Sequence, residues 1–271
     1  MAIYNAYCDR APVFMLVGNG LDVTQRRPGV EWVHTASDCA SMVRDFIKWD
    51  DVPVSLTHFA ESAVRGYKIA MTPPMMPVLL IADGDLQEHP MEGAAPRIPK
   101  LPTMAPPAGD PSALAEAARM LIAAENPVIV ADRAARTHGG MKLLVELAEA
   151  LQAPVIDQWG RLNFPSRHPL NHTDNSRALI GNADVILGLE LADFWGTVHA
   201  YRDQLVRSSR SITKAGTKLI SITAGDLYAK GNMQDLQRYP EVDLAIQADA
   251  EATLPSLIEA VKRQQIGRAH V

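Results

Sequence analysis

Few side chains in this sequence have the type and spacing to do chemistry, and each also has a plain structural use. His34 stands alone. An imidazole that titrates near neutrality polarises a carbonyl or shuttles a proton, and serves equally as an ordinary hydrogen-bonded side chain. Lys48 closes an apolar stripe of helical period, where a solvated cation is favoured by the helix macrodipole. His168, His172 and Asp174 lie close together in a segment that reads as loop. They lack the i, i+4 helical geometry and the tight spacing of a zinc motif, so no metal site is expected. Cys8 and Cys39 form no disulfide framework and no paired metal spacing, and are expected as small buried apolar residues.

The elements that must position these residues alternate between short β-branched runs and segments of helical period, the pattern of βαβ units and parallel sheets. Pro12–Gly18 reads as a buried strand. Cys39, Met42, Val43, Phe46 and Ile47 predict a helix capped by Ser37, and Ala60, Ala63, Val64, Tyr67 and Met71 the buried face of a second, capped by Thr57. Residues 77–81 return as a strand. Six prolines between 96 and 111 mark a semi-rigid surface spacer. Beyond it, helices are predicted on Leu114, Ala117, Ala118, Leu121 and Ile122, on Leu144, Leu147, Ala148 and Leu151, at about 196–209, and on Leu254, Leu257, Ile258 and Val261. Strands are predicted at 128–131, 154–156, 185–187, 219–222 and 242–246. The fold class is therefore α/β with two parallel-sheet units: residues 1–92, a spacer at 93–110, and a doubly wound Rossmann-like domain at 111–264.

Composition excludes several functions. The 271 residues carry 47% hydrophobic and 21% charged residues, as an ordinary globular chain does, and a net charge of −5 offers no basic stripe for nucleic acid. No apolar run approaches the roughly 20 residues that cross a bilayer, so a cytoplasmic protein without membrane contact is expected. Gln265–Val271 resembles a translated sequencing adapter, so this tail is set aside and the natural frame is expected to run on past Gln264.

Several segments, in order, resemble the thiamine-diphosphate-dependent enzymes of the acetolactate synthase type. Asn5–Phe14 resembles the segment in which a helix ends and a strand of the pyrimidine-binding domain begins. Phe46-Ile47-Lys48-Trp49 resembles the family's Thr-Lys-Trp motif, and Pro77–Gln87 its Gly-Pro-Val-x-Leu-x-x-Pro-x-Asp segment. Ala123–Val130 resembles the opening of the central domain, and Asp243–Asp249 its last strand. The resemblance implies the later half of a pyrimidine-binding domain followed by a whole central domain.

The resemblance also implies an activity for a parent enzyme. The cofactor's ylid adds to a 2-oxo acid and acts as electron sink for decarboxylation and carboligation. Thiamine diphosphate and Mg2+ are the implied cofactors, and a homo-oligomer, dimer or tetramer, the implied assembly. The segment with the activating glutamate and the Gly-Asp-Gly to Asn-Asn stretch that holds the diphosphate and metal are not in this sequence, so the chain alone is expected to be inactive. By the same resemblance Lys48 and His34 are substrate-channel candidates. Acetolactate synthases hold FAD in the central domain; here Ala131-Asp132-Arg133-Ala134-Ala135-Arg136 follows its first strand, without close-packed glycines, and Asp132 would repel a phosphate. Gly139-Gly140 comes later and reads as well as a helix-start turn. A central domain kept as a spacer is the expectation, with FAD the weaker possibility. A Rossmann-like module that binds FAD or an ADP-containing ligand without catalysis is the alternative.

Overall fold

The computed structural model describes residues 1–20, 36–201, 205, 207–228 and 238–269. They form two compact units, Met1–Ala105 and Pro106–Val271.

The first unit runs α1 (Ala2–Cys8), β1 (Phe14–Gly18), β2 (Trp49–Asp51), α2 (Leu56–Met71), β3 (Val78–Ala82) and α3 (Gly84–Glu88). Its sheet is parallel, in the order β1-β3-β2, with Gly18 opposite Ala82 and Trp49 opposite Val78. The apolar run Val-Leu-Leu-Ile-Ala makes β3 the strand covered on both faces, whereas most of β1 is exposed. Helix α2 starts two residues earlier than the sequence suggests: Ser55, not Thr57, is the N-cap, its side chain accepting the His58 N–H. The face turned inward also differs. Ser62, Gly66 and Ala70 are buried with Ala60, while Tyr67 of the expected face is exposed.

A sheet takes this small-residue face because the helix can come close. A Cβ on Gly66 would stand 2.9 Å from Phe14 Cε2 and 3.0 Å from Trp49 Cζ3. The other apolar face, with Leu56, Phe59, Val64 and Tyr67, lines a groove of about 480 Å3 whose far wall is Pro96, Ile98 and Leu101 of the proline-rich stretch. Hydrophobic periodicity cannot rank two apolar faces of one helix. The helix expected over 39–47 is replaced by two 3-10 turns, Cys39–Met42 and Arg44–Phe46, broken at Val43. Arg44 forks across Asp38 (2.8 and 2.9 Å) and Asp50 (3.0 and 3.1 Å) and so bends the chain back on itself. Asp38 caps the first turn through the Ser41 N–H where Ser37 was expected.

The second unit runs α4 (Pro111–Ala123), β4 (Pro127–Ala131), α5 (His138–Leu151), β5 (Val155–Asp157), α6 (Ser176–Asn182), β6 (Val185–Leu189), α7 (Phe194–Val198), β7 (His199–Tyr201), β8 (Ser209–Ser211), β9 (Lys218–Ile222), β10 (Leu244–Ile246) and α8 (Ala250–Ala269). Five strands, all parallel, take the order β10-β9-β6-β4-β5. Alternation along β4 sorts its side chains: Ile129 and Ala131 join the core under α4, α5 and α8, and Val128 and Val130 the core under α6 and α7. Of the predicted stripes, Leu114, Ala117, Ala118, Leu121, Leu144, Leu147, Ala148, Leu254, Leu257, Ile258 and Val261 are buried, and Ile122 and Leu151, at the helix ends, are half-buried. Deleting one such leucine side chain costs about 2–5 kcal/mol.

Two details differ from expectation. The helix expected at 196–209 ends at Val198, after which His199–Tyr201 pairs antiparallel with Ser209–Ser211. Its C-terminal part, Arg207-Ser208-Ser209-Arg210-Ser211, has no apolar face to bury. Helix α8 continues past Gln264, and the Gln265 amide donates to Ala150 O at 2.6 Å. Among the described residues no helix is long and apolar enough to cross a membrane.

Candidate functional site

In sequence order the five strands of the second unit sit 2-1-3-4-5, so the chain leaves β4 to one side and returns to the other. The crevice between the carboxyl ends of β4 and β6 is the switch point at which such sheets place ligands. Asp132 follows β4 directly, and Glu190 follows β6.

Asp132 is wholly buried and its charge is matched in place. Arg133 Nη1 lies 2.6 Å from Oδ2, Arg161 Nε donates to Oδ1 at 2.9 Å, and the Ala192 N–H donates to Oδ2 at 3.2 Å. Arg161 comes from the loop after β5, which Asn163 ties down: its amide donates to the Asp132 carbonyl and to Asp157 Oδ1 (2.8 Å), and its Oδ1 accepts the N–H groups of Ala134 and Ala135. Trp159 and Leu162 of this loop both have φ of +60°. That left-handed conformation is unfavourable for bulky residues, and the polar lock at the loop's base holds it.

Glu190 is also left-handed (φ +52°) and 2% exposed. Its carboxylate accepts the Thr223 hydroxyl (3.0 Å) and the N–H groups of Ala224 (3.0 Å) and Ala250 (3.0 Å), the last being the first residue of α8. A third carboxylate, Glu251, reaches from α8 to the start of α5. It accepts the Arg136 N–H (2.6 Å), the Thr137 N–H (3.2 Å) and the Thr137 hydroxyl (2.7 Å), and that hydroxyl caps α5 by accepting the Gly140 N–H (3.0 Å). Arg136 Nη1 lies 2.7 Å from Asp249 Oδ2 in an ion pair. Burial works against the Arg136 charge, but Asp249, then Glu251 and Glu190, more than offset it and raise its pKa.

In the first unit Lys48 has a defined task. Its ammonium donates to the carbonyls of Ile69 (3.1 Å), Thr72 (2.7 Å) and Pro74 (3.0 Å), closing the C-terminal end of α2. Burial pushes its pKa down to about 8, while the three carbonyls favour the charged form. The helix end that it serves is that of α2, not the end of its own segment. His34 lies outside the described residues. Asn19 and Asp83, which follow β1 and β3, each keep one buried oxygen without a hydrogen-bond partner, Oδ1 and Oδ2 respectively. Gln87 Nε2 closes the same edge on the carbonyls of Ala82 (2.9 Å) and Asp83 (3.1 Å).

The loop histidine His168 is taken up by structure: its ring packs edge-on against Phe164, Nδ1 accepts the Leu170 N–H (3.1 Å), and Nε2 meets Glu149 at 3.3 Å. His172 and Asp174 are exposed. Among the described residues no group of three or more His, Cys, Asp or Glu is placed to hold a metal ion. A cavity of about 490 Å3 lies at the opposite edge of the sheet, lined by Arg119, Asp184, Lys218 and Asp243. Those charges are engaged in the fold: Asp184 accepts the N–H groups of Glu125 and Asn126, and Lys218 pairs with Asp243. Sequence reasoning singled out Asp132 but missed Glu190, Arg161 and Glu251. Only Glu251 left a signal, an acidic residue in the first turn of a helix.

Comparison with known proteins identifies this architecture. Residues 114–257, 144 of the 271, match the family described as "Thiamine pyrophosphate enzyme, central domain". A protein of Rhizobium meliloti named "Probable sulfoacetaldehyde acetyltransferase" is 27% identical over 203 residues, 69% of this chain and 32% of that protein. Sulfoacetaldehyde acetyltransferase of Roseovarius nubinhibens is 36% identical over 100 residues, 34% of this chain and 17% of the relative. Among solved structures, benzoylformate decarboxylase of Polynucleobacter necessarius superposes with a TM-score of 0.74 at 18% identity, over 96% of this chain and 46% of that one. The thiamine diphosphate-dependent 4-hydroxybenzoylformate decarboxylase of Rhodococcus jostii RHA1 superposes at 0.72 and 22% identity, over 96% and 47%. The chain thus spans about half the length of these structures and a third or less of the curated relatives.

Proposed function

Because this chain belongs to the thiamine pyrophosphate enzymes, we propose that it is the later half of a pyrimidine-binding domain and the central domain of an acetolactate synthase-like enzyme acting on 2-oxo acids. The observation that carries this reading is the order of the two units: an open three-stranded parallel sheet precedes a five-stranded unit that matches the family's central domain. The names of the relatives, an acetyltransferase and decarboxylases, fit a parent that decarboxylates a 2-oxo acid and passes on the remaining carbon unit. When bound, thiamine diphosphate supplies the carbanion-stabilising centre for both steps.

The described residues do not fit the diphosphate and its Mg2+. They contain no metal-holding cluster, and their buried carboxylates are engaged in the fold, Asp83 among them through the Leu86 N–H that its Oδ1 accepts. No catalytic step is assigned to this chain's residues, and the isolated chain is expected to show no turnover. What these residues contribute is the frame: Lys48 fixes the end of α2, and any attraction it exerts on an anionic 2-oxo acid acts through its field. His34 belongs to the same reading as a channel-side residue. A homo-oligomer is the assembly in which the parent works. The test is to supply thiamine diphosphate, Mg2+ and pyruvate to the purified chain. No acetolactate is expected, and its formation above the protein-free background would overturn the reading.

A further inference from the structure

We propose that the central unit takes no flavin or adenine dinucleotide, because the side-chain carboxylates of Glu251, Glu190 and Asp132 already occupy its anion positions. In a doubly wound sheet a dinucleotide lays its pyrophosphate on the N-terminus of the helix after the first strand, where backbone N–H groups and the helix dipole favour negative charge. Here that strand is β4 and that helix is α5.

The place is filled from within. Glu251 takes the N–H groups of Arg136 and Thr137, and Thr137 passes the Gly140 N–H on to the same carboxylate. A Cβ built on Gly140 would lie 2.5 Å from both Cδ and Oε2 of Glu251, so the close approach that this glycine allows is used by a side chain of the protein itself. The start of α8 is served in the same way by Glu190 through Ala250, and by Asp249 through the Ala252 N–H.

Beside them, Asp132 and Arg136 add to the charge pattern of the described residues. Asp132 is neutralised by Arg133 and Arg161, and Arg136 by Asp249. A pyrophosphate entering this crevice would have to displace Glu251 and then remain beside Asp249 and Glu190. Like charges at such distances in a poorly solvated site repel strongly. Glu251 thus clamps α8 to α5 as a bound phosphate would, without needing a ligand.

The test uses the whole chain with two probes. Titration with FAD, followed by flavin fluorescence, and with ADP, followed by calorimetry, should give no saturable signal into the millimolar range; saturable binding of either overturns the proposal. In the second arm, Glu251→Ala should lower Tm by on the order of 5–10 °C. Inorganic phosphate should restore at least half of that loss relative to chloride at equal ionic strength, beyond any rise that phosphate gives the wild type. If Glu251→Ala does not fold, Glu251→Gln, which keeps one acceptor oxygen, turns the other into an NH2 donor and removes the charge, should show a smaller loss and a weaker phosphate response of the same sign. A folded variant that does not respond to phosphate overturns the internal-anion assignment.

Discussion

Replacing Asp132 by alanine removes a wholly buried carboxylate from between two guanidiniums and a backbone N–H. The two arginines are unequally placed to adjust. The Arg161 side chain is 28% exposed and can turn to water, whereas that of Arg133 is 9% exposed and would leave its charge in the interior. Breaking a buried pair from one side costs about 3–5 kcal/mol, mostly through the stranded partner. With one of the two partners free to re-solvate, a loss of about 3 kcal/mol is expected. For a urea m-value of about 2 kcal/mol/M, that lowers the midpoint of the second unit's transition by about 1.5 M. Arg161→Ala leaves Asp132 with Arg133 and should cost about 1 kcal/mol; the double variant should show a coupling within about 0.5–3 kcal/mol. Urea titration by far-UV circular dichroism reads all three. A loss below about 1 kcal/mol for Asp132→Ala would refute the view that this carboxylate neutralises the crevice.

Other consequences concern both units. Gly66→Val should destabilise the first unit by about 2 kcal/mol despite the better helix propensity, because the new side chain meets Phe14 and Trp49 at about 3 Å; an unchanged urea midpoint would count against the close packing of α2 on its sheet. Lys48→Met should cost about 1–3 kcal/mol by removing the donor from the carbonyls of Ile69, Thr72 and Pro74, and a neutral result would show that water replaces it freely. Burial acts to raise the Asp243 pKa, but its bonds from Lys218 and the Leu219 N–H prevail and hold it below the ordinary value. The folded form therefore binds this proton more weakly than the unfolded chain. Its stabilisation is present above about pH 4 and is lost as pH falls through the folded pKa. Urea midpoints between pH 7 and pH 2.5 should accordingly fall less steeply in Asp243→Asn than in the wild type, and parallel profiles would contradict this.

Strands β3, β4, β5 and β6 were legible in the sequence because they are short apolar runs buried on both faces, where composition alone marks them, whereas the three-residue strands β2, β7 and β8 were not predicted. Helices α4, α5 and α8 were legible because each has a single apolar stripe. Helix α2 was misread because its second apolar face, with Val64 and Tyr67, is stronger in hydrophobicity than the face of Ser62, Gly66 and Ala70 that meets the sheet. Residues 39–47 keep a helical period while an exposed arginine fork, 44 to 38 and 50, sets their path. Such side-chain ties join positions that periodicity treats as independent. The crevice shows the same limit. Asp132 could be flagged from its place after a strand, but Glu190 and Glu251 act across separations of 34 and 115 residues, which only the folded sheet brings together.

The central claim, that this chain is part of a longer thiamine diphosphate enzyme, is tested most directly by reading the source DNA on both sides of the coding segment from an independent, adapter-trimmed library. An open frame is expected that encodes an activating glutamate upstream and a Gly-Asp-Gly to Asn-Asn stretch downstream of Gln264. An in-frame stop before Met1 and another soon after Gln264 would contradict it.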